Sequence, residues 1–306
     1  MDSGQSDKSM NYRLHQFKAM GSPCAFSVYH PSLPATQKAL RLAQEEVLRL
    51  ETKYSRFIND SILSRINQQA GIAPIQVDAE TAGLINYAAQ CYALSDGLFD
   101  ITSGVFRQIW DFKSSKLPNL LAIDETLNHV GFNKLDWSGD TLYLPEHMEI
   151  DLGGVVKEYA ADCARQVLFN NGIRHGLVDL GGDMAVVGEK PDQSPWVIGV
   201  RDPIKPNKAI VSIPLLSGAI ATSGHYERYM MVDGKRYCHI INPKTGWPVQ
   251  YNATVSVVSP HCLVSGSLAS IAMLKEESAV AWLQEQDAVF FLQNAQNQNF
   301  GSLALA

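Results

Sequence analysis

The chain has 306 residues, 46% apolar and 18% charged, with a net charge of −6. That balance suits a packed globule, and with no basic cluster interleaved with aromatics it excludes nucleic acid as an expected partner. No apolar run is long enough to span a bilayer, and five scattered cysteines, Cys24, Cys91, Cys163, Cys238 and Cys262, suggest neither a disulfide framework nor a cysteine metal site.

In chain order, residues 1–10 read as a polar, disordered tail without the apolar core of a signal peptide. As the sequence stands, a cytoplasmic protein is expected, or a periplasmic one if an export signal has been trimmed. Residues 14–30 read as a strand or hairpin arm. Residues 36–55 form an amphipathic helix with Leu40, Ala43, Val47 and Leu50 along one face. Asp60 caps a second helix. Residues 80–95 make a third, stopped by Asp96-Gly97, and residues 105–112 a short fourth. Residues 114–124 read as a polar, proline-containing excursion.

From Leu135 the pattern turns β-like. Strands are expected over residues 141–144, 148–152, 176–180, 184–187, 196–200, 209–214 and 219–222. Residues 229–232 and 236–241 flank Asp233-Gly234, a hairpin signal. A strand over 253–258 and a helix over 264–273 follow. Residues 279–292 read as helix then strand, and the Gln/Asn-rich 293–300 as loose. There is no internal repeat and no clear linker, so residues 11–306 are expected to form one domain of mixed α and β.

The most telling stretch is Asp151-Leu-Gly-Gly-Val-Val-Lys-Glu-Tyr159, echoed by Gly181-Gly182. It reads strand, glycine turn, helix, with Gly172 as the helix stop. A helix that starts directly after two glycines turns bare N–H groups and a positive dipole end outward, which suits a phosphate. The same glycines could equally serve a tight turn for steric reasons alone.

Other blocks stand around it. Upstream are Lys18-Ala-Met-Gly21, Tyr54-Ser-Arg-Phe57 followed by Asp60-Ser61 and Asn67, and Asp96-Gly-Leu-Phe-Asp-Ile-Thr102. Downstream are Ala221-Thr-Ser-Gly224 and His239-Ile-Ile-Asn-Pro-Lys-Thr-Gly246. In this order, from about Met20 to about Leu274, they resemble the ApbE family of FAD:protein FMN transferases. The resemblance implies an α+β fold, a single domain of mixed sheets flanked by helices. It implies transfer of FMN from FAD, the substrate, onto a Thr or Ser hydroxyl of an acceptor flavoprotein, with release of AMP. The chain holds no copy of the family's acceptor pattern, so the acceptor is another protein.

Matched block by block, the resemblance makes Met20 an apolar contact to the flavin or adenine and Phe57 a stacking ring. Leu98, Phe99 and Asp100 close on the adenosine, Asp100 as a hydrogen-bond acceptor. Asp151 and Lys157 flank the helix start, and Ile240 is a further contact. Read as residues alone, Met20, Phe57 and Phe99 are ordinary core residues and Asp151 is a turn cap. His239 is the candidate base, since an imidazole suits deprotonation of an alcohol. His225 ranks second, and Thr222 and Ser223 are candidate phosphate donors.

The resemblance also implies a divalent metal, usually magnesium, held by a carbonyl of the glycine turn at Gly154 and by an Ala-Asp-x-x-x-Thr-like helix. Here that block reads Ser265-Gly-Ser-Leu-Ala-Ser270. Ser270 keeps a hydroxyl, but Gly266 stands at the aspartate position. Magnesium takes hard oxygen ligands, usually with one or two carboxylates. Three readings stay open: another carboxylate, Glu158 or Asp183, replaces the aspartate; the protein binds FAD but transfers FMN poorly or not at all; or the fold serves another flavin or nucleotide task.

Overall fold

The computed structural model describes residues 10–114, 116–203, 205, 207–226 and 228–304. Apart from Met10, the expected tail lies outside the described residues.

The chain opens with a hairpin, β1 (Asn11–Ala19) and β2 (Ser22–His30). Met20 and Gly21 form its two-residue turn, with φ of 52° and 70°, the left-handed pair that matches strand twist. Helix α1 (Leu33–Tyr54) follows, with Ser32 capping it and Ala39, Leu40, Ala43, Val47 and Leu50 buried along one face. Helix α2 (Ile62–Gln68) is capped by the Ser61 hydroxyl, not by Asp60 as expected. Strand β3 (Ile75–Gln76) and α3 (Ala79–Leu94) come next. The helix expected at 105–112 is a 3-10 segment, Ile101–Gln108, capped by Asp100. The polar excursion contains a helix, α4 (Leu120–Leu127), capped by Asn119; Ser115 lies outside the described residues.

Strands β4 (Asp136–Trp137) and β5 (Thr141–Tyr143) join β3 in a small sheet. The apolar run 148–152 is buried but is not a strand. The Asn67 amide donates to the Ile150 carbonyl at 3.0 Å and accepts from its N–H at 2.9 Å. One side chain thus replaces the neighbouring strand that periodicity suggested. Helix α5 (Val156–Asn170) follows the first glycine pair.

The remaining elements are β6 (His175–Leu180), β7 (Asp183–Gly188), β8 (Trp196–Arg201), β9 (Ala209–Leu215), β10 (Ala219–Gly224), β11 (Tyr229–Val232), β12 (Lys235–Cys238) and β13 (Asn252–Ser259). Helices α6 (Cys262–Lys275) and α7 (Ala279–Glu285) and strands β14 (Val289–Asn294) and β15 (Asn299–Phe300) complete the chain. The Gln/Asn-rich end is therefore ordered: Gln293 and Asn294 are buried in β14, and the Gln293 amide donates to Asn299 of β15.

An eight-stranded antiparallel sheet, in the order β1-β2-β6-β7-β10-β13-β14-β15, organises the molecule. Its centre is buried on both faces. Ala185, Ala219 and Ala221 belong to the main core with α1, α5 and α6, while the alternate residues Val186, Ile220 and Phe291 pack with Trp196, Ile198, Val211 and Ile213 of the β8–β9 ribbon. Alternation of small and large side chains follows from the strand period of two. The alanines let the helices lie close to the sheet.

The two glycine pairs differ in kind. Gly181 and Gly182 turn β6 into β7 with φ of 67° and 96°, and a Cβ on Gly181 would fall 2.6 Å from Ser22 Cβ. Glycine is obligatory there. Gly153 and Gly154 are not in the left-handed region, and a Cβ on Gly154 would rest 3.6 Å from the Phe99 ring, an ordinary contact. Gly181→Ala is therefore expected to destabilise the protein by about 1–2 kcal/mol, whereas Gly154→Ala stays within about 0.5 kcal/mol of the parent. Urea unfolding of both variants checks this, and equal midpoints would contradict it.

Candidate active site

Antiparallel pairing brings three turns and strand ends to one end of the large sheet. The Met20-Gly21 turn lies beside Gly181-Gly182, because Cys24 pairs with Leu180. Strand β10 runs antiparallel to β7, with Ile220 opposite Met184, and so carries Thr222 and Ser223 to the same end. Helix α5 starts there too.

Several polar groups at this end have defined partners. The Thr222 N–H donates to Asp183 at 3.3 Å, and the Thr222 and Ser256 hydroxyls bond at 2.7 Å. Lys157 Nζ pairs with Asp183 Oδ2 at 2.7 Å. The Ser223 hydroxyl meets that of Ser270, on α6, at 3.1 Å. The Asp179 carboxylate accepts from the Gly182 N–H at 2.8 Å, holding the turn beneath which Asp183 begins.

Glu158 lies on α5 directly against Gly266 of α6; a Cβ on that glycine would fall 2.8 Å from Glu158 Oε1. The space a side chain at 266 would need is therefore taken by the Glu158 side chain from the facing helix. Burial, and then the charge of Asp183, push the Glu158 carboxyl up to about 8, against the pull of Lys157. Burial works against the Lys157 charge, but Asp183 and Glu158 outweigh it and hold the ammonium above its usual value. Among the described residues no group of three or more His, Cys, Asp or Glu side chains is gathered as a metal cluster; any metal here must draw on backbone carbonyls, hydroxyls and the substrate as well.

A second group forms the mouth. Gly153 and Gly154 are exposed, and no side chain caps the start of α5, although the Val155 and Val156 N–H groups both reach the Leu152 carbonyl at 2.9 Å. Asp151 accepts from the Gly153 N–H at 2.8 Å and pairs with Arg56. Arg56 in turn lies over the Phe57 ring, 5.0 Å from its centroid. Phe57 is 83% exposed, not a core residue; a large ring held at the surface by a cation is available for stacking. Leu98 is half-buried against the main core. Phe99 is buried and packs on Gly154.

Asp100 also serves the fold. It is buried, and its oxygens accept from Thr102 N–H at 2.8 Å, Thr102 Oγ1 at 2.6 Å and Phe132 N–H at 3.0 Å. It caps the 3-10 segment and pins the following loop. Met20 is half-buried, with its N–H donating to Glu51.

The His239 block forms a wall. Strand β12 ends at Cys238, so His239 lies just past the strand, not on its last residues as expected. His239 is exposed; its N–H and Nδ1 both meet the Arg228 carbonyl, at 3.0 and 3.1 Å. A carbonyl only accepts, so Nδ1 is the donor in this bond. Ile240 is partly buried against the core. The rest of the block is architecture: Asn242 Oδ1 accepts from Lys244 N–H at 2.9 Å, and Trp110 Nε1 donates to the Gly246 carbonyl at 2.9 Å. Strand β10 ends at Gly224, and His239 is tied to the Arg228 carbonyl beyond that end.

Sequence reasoning assigned no role to Arg56, Asn67 or Glu51. The first two lie in motifs that were visible; what was invisible was their partners, Asp151 and Ile150, more than eighty residues away.

The sequence model of the ApbE family matches residues 20–291, and this chain belongs to that family. The FAD:protein FMN transferase of Vibrio cholerae serotype O1 is 31% identical over 258 residues, spanning 81% of this chain and 77% of that one. The FAD:protein FMN transferase of Treponema pallidum is 30% identical, spanning 84% and 80%. Among solved structures, the ApbE protein of Thermotoga maritima superposes with a TM-score of 0.89 at 29% identity, over 96% of this chain and 98% of that one. The fold is α+β, as the resemblance implied.

Two expectations follow from the electrostatics. Lys157→Met leaves Asp183 buried without its cation and should cost about 3 kcal/mol; adding Asp183→Asn should recover part of it, as measured by urea unfolding. Burial and the Arg236 charge push His225 down to about 4. The folded protein refuses a proton that the unfolded chain accepts near pH 6.5. That contribution to stability is present above pH 6.5 and is lost as pH falls toward 4. Thermal melts of His225→Gln should show a shallower loss over this window than the parent; parallel curves would contradict it.

Proposed function

We propose that this protein is an FAD:protein FMN transferase, moving FMN from FAD to a Thr or Ser hydroxyl of an acceptor flavoprotein and releasing AMP. The observation that carries the reading is the gathering, at one end of the sheet, of an uncapped helix start, Lys157, the Thr222 and Ser223 hydroxyls and Ser270. Such a set suits a pyrophosphate. The relatives named above, covered over most of their length, support it.

In this reading Phe57 and Met20 face the flavin or adenine, and Leu98, Phe99 and Ile240 shape the apolar walls. Asp151 orients Arg56 and the Gly153 N–H at the mouth. Lys157 adds positive charge at the α5 start. Asp100 supports the loop that holds Phe99. The acceptor Oγ attacks the FMN-side phosphorus. The new P–O bond forms as the bond to the bridging oxygen breaks, and AMP leaves with that oxygen. His239 Nε2 takes the hydroxyl proton.

The residues also suit a magnesium ion. The Gly154 turn is exposed and Ser270 offers a hydroxyl. Glu158 has a buried oxygen, Oε2, without a hydrogen-bond partner. When bound, the ion supplies neutralisation of pyrophosphate charge. The reading of a transferase crippled by Gly266 loses its ground, because Glu158 fills the space the missing side chain would occupy.

The test is incubation of the protein with FAD, magnesium and an acceptor flavoprotein. Covalent flavin on the denatured acceptor, matched by AMP, is expected. AMP without labelled acceptor would mean FAD hydrolysis, and intact FAD would reject both. His239→Ala should slow transfer by roughly 10²–10⁴-fold while FAD still binds; an unchanged rate would remove His239 from the base role.

A further inference from the structure

We propose that Glu158 supplies the carboxylate ligand for the divalent cation, from the helix opposite the one on which the family carries it. The proposal rests on the transferase reading for the identity of the site, but on this chain's own packing for the ligand.

Three observations point to it. First, a side chain at 266 would have to displace that of Glu158. Any Cβ at 266 would collide with the Glu158 side chain, falling 2.8 Å from Oε1 and 2.9 Å from Cδ. A carboxylate carried by residue 266 would therefore compete for the volume that the Glu158 carboxylate now occupies. One helix has gained the acid where the facing helix carries no side chain.

Second, Glu158 is 7% exposed and its Oε2 has no hydrogen-bond partner. A buried carboxylate oxygen left unpaired costs several kcal/mol, so such groups call for a specific explanation. A cation removes the penalty. The nearby carboxylate, Asp183, already holds Lys157 at 2.7 Å and the Thr222 N–H at 3.3 Å.

Third, the remaining oxygen donors sit in register with it. Gly266 and Ser270 are four residues apart on α6 and so share a face. Ser270 is tied to Ser223 on β10. Gly154 lies one turn before Glu158, in the exposed segment that opens α5. A carboxylate, a hydroxyl and a carbonyl, completed by substrate phosphate and water, make an oxygen set suited to magnesium.

The test is Mn2+ binding in the presence of FAD, read by the electron paramagnetic resonance signal of free Mn2+, which needs no acceptor and no turnover. Glu158→Gln should weaken Mn2+ binding by about tenfold or more. Gly266→Asp alone should lower the melting temperature by crowding Glu158. Combining Glu158→Gly with Gly266→Asp should restore both the melting temperature and Mn2+ binding, and this exchange keeps the question answerable if either single variant folds badly. Unchanged Mn2+ affinity in Glu158→Gln overturns the assignment, as does absence of Mn2+ binding by the native protein. Transfer of FMN by a protein whose Mn2+ affinity ignores Glu158 would leave the function standing without this ligand. Glu158-dependent Mn2+ binding without FMN transfer would do the reverse.

Discussion

The contact between α5 and α6 is the constraint on which the site depends. It places Glu158 on Gly266 with no room for a side chain between them. Asp162 of α5 sets the register: its two oxygens accept from the Cys262 and Leu263 N–H groups, each at 3.0 Å. They cap α6 from a neighbouring helix, where His261 provides no side-chain cap of its own. One turn earlier on α5, Lys157 binds Asp183 of β7. A helix tied to a second helix at one level and to the sheet at another has little freedom to slide. Ala185, Ala219 and Ala221 on the sheet make this closeness sterically possible.

Around that contact the site divides by physical character. The floor is built from helix and strand positions joined by mutually supporting hydrogen bonds. The mouth is open and made of turns: Phe57, Arg56, Gly153 and Gly154 lie on segments that the sheet does not pair. This is the arrangement expected where a rigid scaffold presents exposed loops for binding. The left-handed turns at Met20-Gly21 and Gly181-Gly182 join the two, because each ends a strand of the central sheet at the site.

Several groups that look chemical in the sequence prove architectural. Asp100 spends its oxygens on Thr102 and Phe132. Asn242 and Gly246 hold the loop after His239. Asn67 substitutes for a strand. A motif thus mixes groups that meet substrate with groups that place them, and the two kinds separate only when each hydrogen bond has an address.

Much of the fold was legible in the chain. Periodicity located α1 and α5, Asp96-Gly97 marked the stop of α3, and Asp233-Gly234 marked its hairpin, because these signals act over one or two turns of backbone. The motif order defined the family for the same reason: it is a property of the chain in one dimension. What the sequence could not decide were relations across space. The run 148–152 has the look of a strand, but only the arrival of Asn67 from α2 settles how its backbone is satisfied. Phe57 reads as core, and its exposure follows from where Arg56 and Asp151 hold its loop. Gly266 reads as a lost carboxylate. Only the packing of α5 on α6 shows that its empty side-chain position is the space Glu158 occupies, since a residue's missing volume means nothing until its neighbour is known.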